Sequence, residues 1–250
     1  MILTEADLRS RMLPEGTREL AVPEGAVVTP AAADYLQKRG IALRRGQPSP
    51  GAMTQTPIPR RGGKAVFVDA ATGRELDRKP EEMTHLRGNL LVPKTHPQIR
   101  FRGGVDSLEA QVIQCQVTAR EQGLPGLCAC LGEVLDCLRQ LLRAEVRDQP
   151  LEMGTLFGYD QTQLRRLSHH IQELTGQGHP VPQHQMGRMA AELNRLRTQI
   201  REVELLGALA FDGPGGCLRP DLIQCLNRLS SGVYILFCCL LAGRDGVNKR

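Results

Sequence analysis

From Gly104 onward apolar residues recur at three- and four-residue steps: Val105, Leu108, Val112 and Ile113, then Leu127, Leu131, Val134, Leu135, Leu138, Leu141 and Leu142. That period predicts two amphipathic helices separated by "GLPG". A third is expected from about Asp160, with Leu164, Leu167 and Ile171 on one side, ending near Gly176. A fourth, from about 186 to 211, carries Met189, Leu193, Leu196, Ile200, Val203 and Leu206 and stops at "DGPGG". A fifth begins near Pro220 and holds Leu222, Ile223, Leu226, Leu229, Val233 and Leu236. Helices of this length with short connections predict a mainly α protein built as a five-helix bundle.

Ahead of the helices the pattern differs. In "VTPAAADYLQKRGIAL" Thr29 is suited to an N-cap, Pro30 to the first helical position and Gly40 to the helix end before a short strand. One helix and one strand make residues 1–45 a small N-terminal α/β module. Residues 46–64 concentrate Pro, Gly, Ser and Thr and read as a linker. "AVFVDAATGREL" then alternates around a turn, which predicts a hairpin. The expected division is a module at 1–45, linker and hairpin at 46–82, and the helical bundle at 83–250. There is no internal repeat and no sustained heptad.

Composition narrows the classes. Aromatic residues are 3 % of the chain and Trp is absent, which favours helices packed by aliphatic side chains. The net charge of +5 is mildly basic, but the aromatic platforms on which bases stack are scarce. Clustered arginines therefore point to a phosphate-bearing small molecule at least as well as to nucleic acid. The start "MILTEADLRS" lacks the apolar core of a leader. The most apolar run, Val233 to Ala242, spans ten residues where ~20 are needed to cross a bilayer. A soluble cytoplasmic protein without a membrane span is expected. The eight cysteines lie mostly inside helical apolar patterns and read as small buried residues in a reduced chain.

Candidate chemistry gathers on the last two helices. In "LNRLRTQIREVELL" Arg197, Arg201 and Glu204 are spaced i, i+4, i+7 and share one face, with Asn194 one turn earlier. Two guanidiniums on one stripe can clamp a polyphosphate through forked donors, and a nearby carboxylate can orient one or face a cation. The same spacing also suits a solvated face with an internal ion pair, and spacing alone does not choose. Asn227 and Arg228 in "LNRLSS" could read adenine, grip phosphate or join two helices. Lys94 precedes a Gly-Gly pair and an Asp-led helix, without the full phosphate-loop motif; the glycines can equally serve a turn into that helix. His169 and His170 are adjacent and diverge by about 100° on a helix, so they cannot face one ion together.

These segments in combination resemble the ATP:cob(I)alamin adenosyltransferases, and in particular their ethanolamine-utilization branch, over nearly the whole chain. The resemblance is carried by "LTEADLR", "VTPAAADYL", "HPQIRFRGGVDSLEA", "LRRLSHH", "HPVP", "LNRLRTQIREVELL" and "LRPDLIQCLNRLSS". It implies the adenosyltransferase type of helical bundle and transfer of the 5′-deoxyadenosyl group of ATP to the cobalt of cob(I)alamin, with release of triphosphate. Lys94, nine positions before Gly103, looks like the family's ATP-contacting lysine. Arg197, Arg201, Glu204, Asn227 and Arg228 look like its ATP-site residues. No side-chain nucleophile is implied, because cob(I)alamin is itself strongly nucleophilic.

The chain also departs from the family's pattern. Glu202 and Leu205 stand where the family has arginines, and Ser231 where it has an aspartate linked to subunit contacts. The family's Thr/Gly-rich phosphate loop is not recognisable. His179-Pro180-Val181-Pro182 replaces Phe-Ile-Leu-Pro, which makes His179 a cobalamin-facing candidate. Some branch members bind a divalent metal through a His and a Cys-Cys-x-x-Cys segment, but residues 46–82 contain neither residue type. No protein-bound metal is expected, only Mg²⁺ with ATP. The implied partners are a flavin-type reductase, a B12-dependent ammonia-lyase and further copies of the chain, in the cytoplasm or a bacterial microcompartment. The competing class is a non-catalytic helical protein that carries cobalamin or associates with a microcompartment.

Overall fold

The structure, a computed structural model, describes residues 2–4, 8, 19–22, 27–45 and 66–247. The linker reading at 46–64 falls outside these residues. Two compact units are present, Met1–Pro93 with Gly213–Gly216, and Lys94–Asp212 with Cys217–Arg250. The protein is predominantly helical with small sheets.

In the first unit β1 (Ile2–Leu3) pairs in parallel with β3 (Val27–Val28), and β2 (Glu19–Val22) with β4 (Ala42–Arg45). Between β3 and β4 runs α1 (Pro30–Lys38), whose Thr29 cap accepts from Ala32 N–H and whose exit has Gly40 at φ +67°. Leu3, Leu8, Leu20, Val22, Ala32, Leu36 and Ile41 form the core of this segment. The sequence predicts one strand here and four are present among the described residues, because strands of two to four residues are too short to display alternation. A separate sheet has the order β6-β5-β8-β7, from β5 (Phe67–Asp69), β6 (Glu75–Leu76), β7 (Met83–Arg87) and β8 (Leu90–Pro93).

The second unit contains α2 (Pro97–Glu121), α3 (Pro125–Arg147), α4 (Gln161–His169), α5 (Gln172–Thr175), α6 (Arg188–Ala210) and α7 (Pro220–Leu241). α6 lies along α7, α2 along α3 and α6, and both α3 and α4 touch α7. α7 is the axis of the unit: Leu222, Leu226, Leu229, Val233, Leu236 and Cys239 are all fully buried. Among the described residues it is the one helix long and apolar enough to cross a membrane, yet 67 % of its apolar window is buried inside the protein, as in a core helix. The eight cysteines are free, and the thiols of Cys137 and Cys225 lie 3.4 Å apart between α3 and α7.

Three expectations need correction. The first long helix begins at Pro97, not Gly104, with His96 Nδ1 accepting from Gln98 N–H at its start. Gly103 and Gly104 are therefore helical rather than a turn, and Asp106 does not lead the helix. The reason for glycine is packing: a Cβ on Gly104 would lie 3.0 Å from Val203 Cγ2 and 3.1 Å from Leu206 Cδ1, so the gap admits α6. The third helix does not continue to Gly176; it ends at His169, and α5 is a separate turn. Ile113, read as part of the apolar face, is 46 % exposed.

Gly207 plays the same role on α6. A Cβ there would meet Ile223 Cδ1 at 2.8 Å and the fully buried Phe101 ring at 2.9 Å. Alanine gains about 1 kcal/mol of helix propensity, but overpacking a rigid ring costs about 1–3 kcal/mol. Gly207→Ala is expected to lower unfolding stability by about 1 kcal/mol, read from the urea midpoint; a raised midpoint would show that the Phe101 ring yields.

Candidate functional site

Three helices each present one stripe to a cavity of about 410 Å³. α7 supplies Asn227, Arg228, Ser230, Ser231 and Tyr234, and α6 supplies Arg197 and Arg201. α4 supplies Arg165, Ser168 and His169, at i, i+3 and i+4. α4 is seated by the buried side chains Leu164 and Leu167, started by a capping box of Asp160 and Gln163, and tied to α7 by Gln224 Nε2 donating to Gln161 Oε1 at 2.7 Å. Four guanidiniums and no carboxylate line the cavity.

The polar groups are linked in order. Arg228 Nη1 donates to Asn227 Oδ1 at 2.7 Å, and Asn227 Nδ2 donates to Glu204 Oε1 at 3.1 Å. The Asn227 amide thus joins α7 to α6, and Glu204 stands just behind the cavity wall. Arg197 donates from Nε and Nη2 to Asn194 Oδ1 at 3.3 and 3.1 Å, and its guanidinium carbon lies 5.8 Å from the centroid of the Tyr234 ring. Ser230 and Ser231 turn their hydroxyls back to the Asn227 carbonyl, at 2.9 and 3.1 Å. Arg228 Nε is buried and without a hydrogen-bond partner. Burial, and then the facing charge of Arg165, lower the pKa of Arg228, while Glu204 opposes the shift. A cationic wall with an unsatisfied donor suits a multivalent anion.

His179 stands behind Tyr234. Its Nδ1 is 2.7 Å from the Tyr234 hydroxyl and its Nε2 is 3.1 Å from the His169 carbonyl, with the two rings stacked at 5.9 Å and 16°. A carbonyl only accepts, so Nε2 donates to the His169 carbonyl, and Nδ1 is hydrogen-bonded to the Tyr234 hydroxyl. Burial, and then the bond to Cys238, raise the Tyr234 pKa. Tyr234→Phe and His179→Ala are each expected to cost about 0.5–1 kcal/mol, and the double variant no more than the larger single one. Additive urea-denaturation losses would mean that the bond does not couple them.

Of the sequence-derived candidates, Arg197, Arg201, Asn227 and Arg228 line one cavity, Glu204 supports it through Asn227, and His179 supports it through Tyr234. Lys94 is exposed, two residues ahead of the His96 cap, and does not line the cavity. Sequence reasoning assigned no site role to Arg165, Ser168, His169 or Tyr234. The 165/168/169 spacing beside buried Leu164 and Leu167 was the available signal. A larger cavity, about 790 Å³, lies between Tyr159, Glu173 to Gly176, Ala242 and Arg244, but Arg244 already donates to the Leu174 carbonyl at 2.7 Å.

A helical unit that gathers four guanidiniums from three helices is suited to a small molecule bearing a polyphosphate. The chain belongs to the cobalamin adenosyltransferase family, whose model matches residues 76–240. It is 34 % identical to the corrinoid adenosyltransferase EutT of Salmonella typhimurium strain LT2, over 96 % of this chain and 92 % of that protein. Its identity to the corrinoid adenosyltransferase EutT of Escherichia coli K12 is 33 %, over 94 % of this chain and 90 % of the relative. No solved structure matches the chain.

Proposed function

We propose that this enzyme transfers the 5′-deoxyadenosyl group of ATP to the cobalt of cob(I)alamin in ethanolamine utilization. The cobalt(I) electron pair forms the Co–C bond at C5′, the C5′–O bond breaks, and triphosphate leaves with that bond's electrons. No side-chain base or nucleophile is needed, so catalysis is positioning and charge stabilisation. The observation that carries the reading is the convergence of Arg197, Arg201 and Arg228 on one carboxylate-free cavity in a chain of this family.

In this reading Arg201 and Arg228 hold triphosphate oxygens, Arg197 is braced by Asn194 and Tyr234, and Asn227 and Glu204 fix Arg228. Mg²⁺ brought with ATP would neutralise part of the triphosphate charge, while Glu204, behind the cavity wall, would act on the site through Asn227. Lys94 is an ATP contact outside the cavity. His179 faces cobalamin through its stack on the Tyr234 ring, and its engaged nitrogens make it a spacer instead of a cobalt ligand. The helices α2, α3, α4, α6 and α7 are read as a five-helix bundle of the adenosyltransferase type that follows the strands β7 and β8.

A flavin-type reductase supplies the electron to cobalt, a B12-dependent ammonia-lyase takes the product, and the chain works as a homo-oligomer in the cytoplasm or a microcompartment. A non-catalytic carrier would bind corrinoid without releasing triphosphate. Anaerobic turnover with triphosphate quantification therefore decides between them.

A further inference from the structure

Contacts between helices order the cavity from end to end. α4 and α7 run side by side in the same direction: Gln161 bonds Gln224, Arg165 and Arg228 line the same cavity, and the His169 carbonyl reaches Tyr234 through His179. α6 runs the opposite way, with Glu204 at Asn227 and Arg197 at Tyr234. The cavity therefore has two chemically distinct ends. Tyr234 is the aromatic ring of the lining and marks one of them, with Arg197 over its face. Arg165 and Arg228 mark the other, six residues away along α7 or about 9 Å at 1.5 Å per residue, and Arg201 falls between them on α6.

Two guanidiniums that line one cavity, with no carboxylate in its lining, repel unless an anion lies between them. Arg166, the neighbour of Arg165, is paired with Glu173 at 3.2 Å, whereas no carboxylate lies within 4.0 Å of Arg165 among the described residues. Arg228 has a buried Nε still without a partner. An aromatic end and a doubly cationic end about 9 Å apart fit a nucleoside at Tyr234 with its phosphate chain running toward α4.

We propose that Arg165 is the terminal-phosphate reader of this site, gripping the γ-phosphate together with Arg228 and making the cavity selective for nucleoside triphosphates over diphosphates. The inference rests on the ATP-site reading above and adds a residue and a selectivity to it. An exposed helical position makes Arg165→Gln a mild change to the fold.

The test is equilibrium binding of MgATP, MgADP and inorganic tripolyphosphate to the wild-type chain and to the Arg165→Gln, Arg165→Lys and Arg201→Gln variants, each checked by thermal melting. Arg165→Gln is expected to weaken ATP and tripolyphosphate by about tenfold or more and to leave ADP nearly unchanged, with Arg165→Lys recovering part of the loss. If Arg165→Gln leaves ATP affinity intact while Arg201→Gln loses it, the γ-phosphate role is overturned and the ATP site stands. Equal losses of ATP and ADP on Arg165→Gln also overturn it, because the residue would then read charge in general. If Arg201→Gln and Arg165→Gln both bind ATP like wild type, the ATP site itself is misplaced.

Discussion

Arg201→Ala is expected to abolish adenosylation, by about 10²-fold or more, while the helical circular dichroism stays nearly unchanged. The reaction expels a triphosphate, and charge grows on the oxygen that leaves C5′. Removing one preorganised donor from a site of this kind typically costs about 10²–10³ in turnover. Arg201 lies on the exposed stripe of α6 and lines the cavity, so it is free to act on a ligand and its loss uncovers no core. Alanine is the best helix former, which preserves α6 itself. Anaerobic assays with ATP and reduced cobalamin read the effect, and unchanged turnover would contradict the assignment of this face to ATP.

The largest stability effect is expected away from the cavity, at Arg102. Its Nε donates to Glu145 Oε2 at 2.6 Å and its Nη2 to Oε1 at 3.2 Å, a forked pair that joins α2 to α3. The Glu145 side chain is 0 % exposed and that of Arg102 is 17 % exposed. Replacing Arg102 by Met leaves a buried carboxylate without its counter-charge, which costs about 3–5 kcal/mol. Replacing both residues, with Met and Leu, is expected to restore most of that loss, since an apolar pair of similar volume is often neutral or stabilising. Urea denaturation of the single and double variants checks both. A double variant as unstable as the single one would mean that the pair is worth its charges.

Helical periodicity and the turn residues between helices were legible because a 3.6-residue pattern repeated over twenty residues leaves many coincident markers. Arg197 and Arg201 could be placed on one face of α6 by spacing alone, and Asn227 and Arg228 on α7 just ahead of its apolar run. What spacing could not give was contact between helices. Nothing in "LRRLSHH" says that Arg165 faces the cavity while Arg166 pairs with Glu173, because both are exposed arginines on a short helix.

The Asn227 amide between Arg228 and Glu204 is likewise a property of helix packing. Gly104 misled for a related reason. A glycine pair reads locally as a turn, but here Gly104 is the bare patch that lets α6 approach α2, while Gly103 faces open space. The Arg102 and Glu145 pair escaped notice because 43 residues separate partners that each look like ordinary helix-surface charges.

The central claim is that this chain makes a cobalt–carbon bond from ATP. Anaerobic incubation with ATP and chemically reduced cobalamin tests it most directly, with the corrinoid spectrum and free triphosphate followed together. Conversion to the adenosylcobalamin spectrum with one triphosphate released per corrinoid is the result this account predicts. Retention of the reduced corrinoid spectrum, with no triphosphate formed, would contradict it.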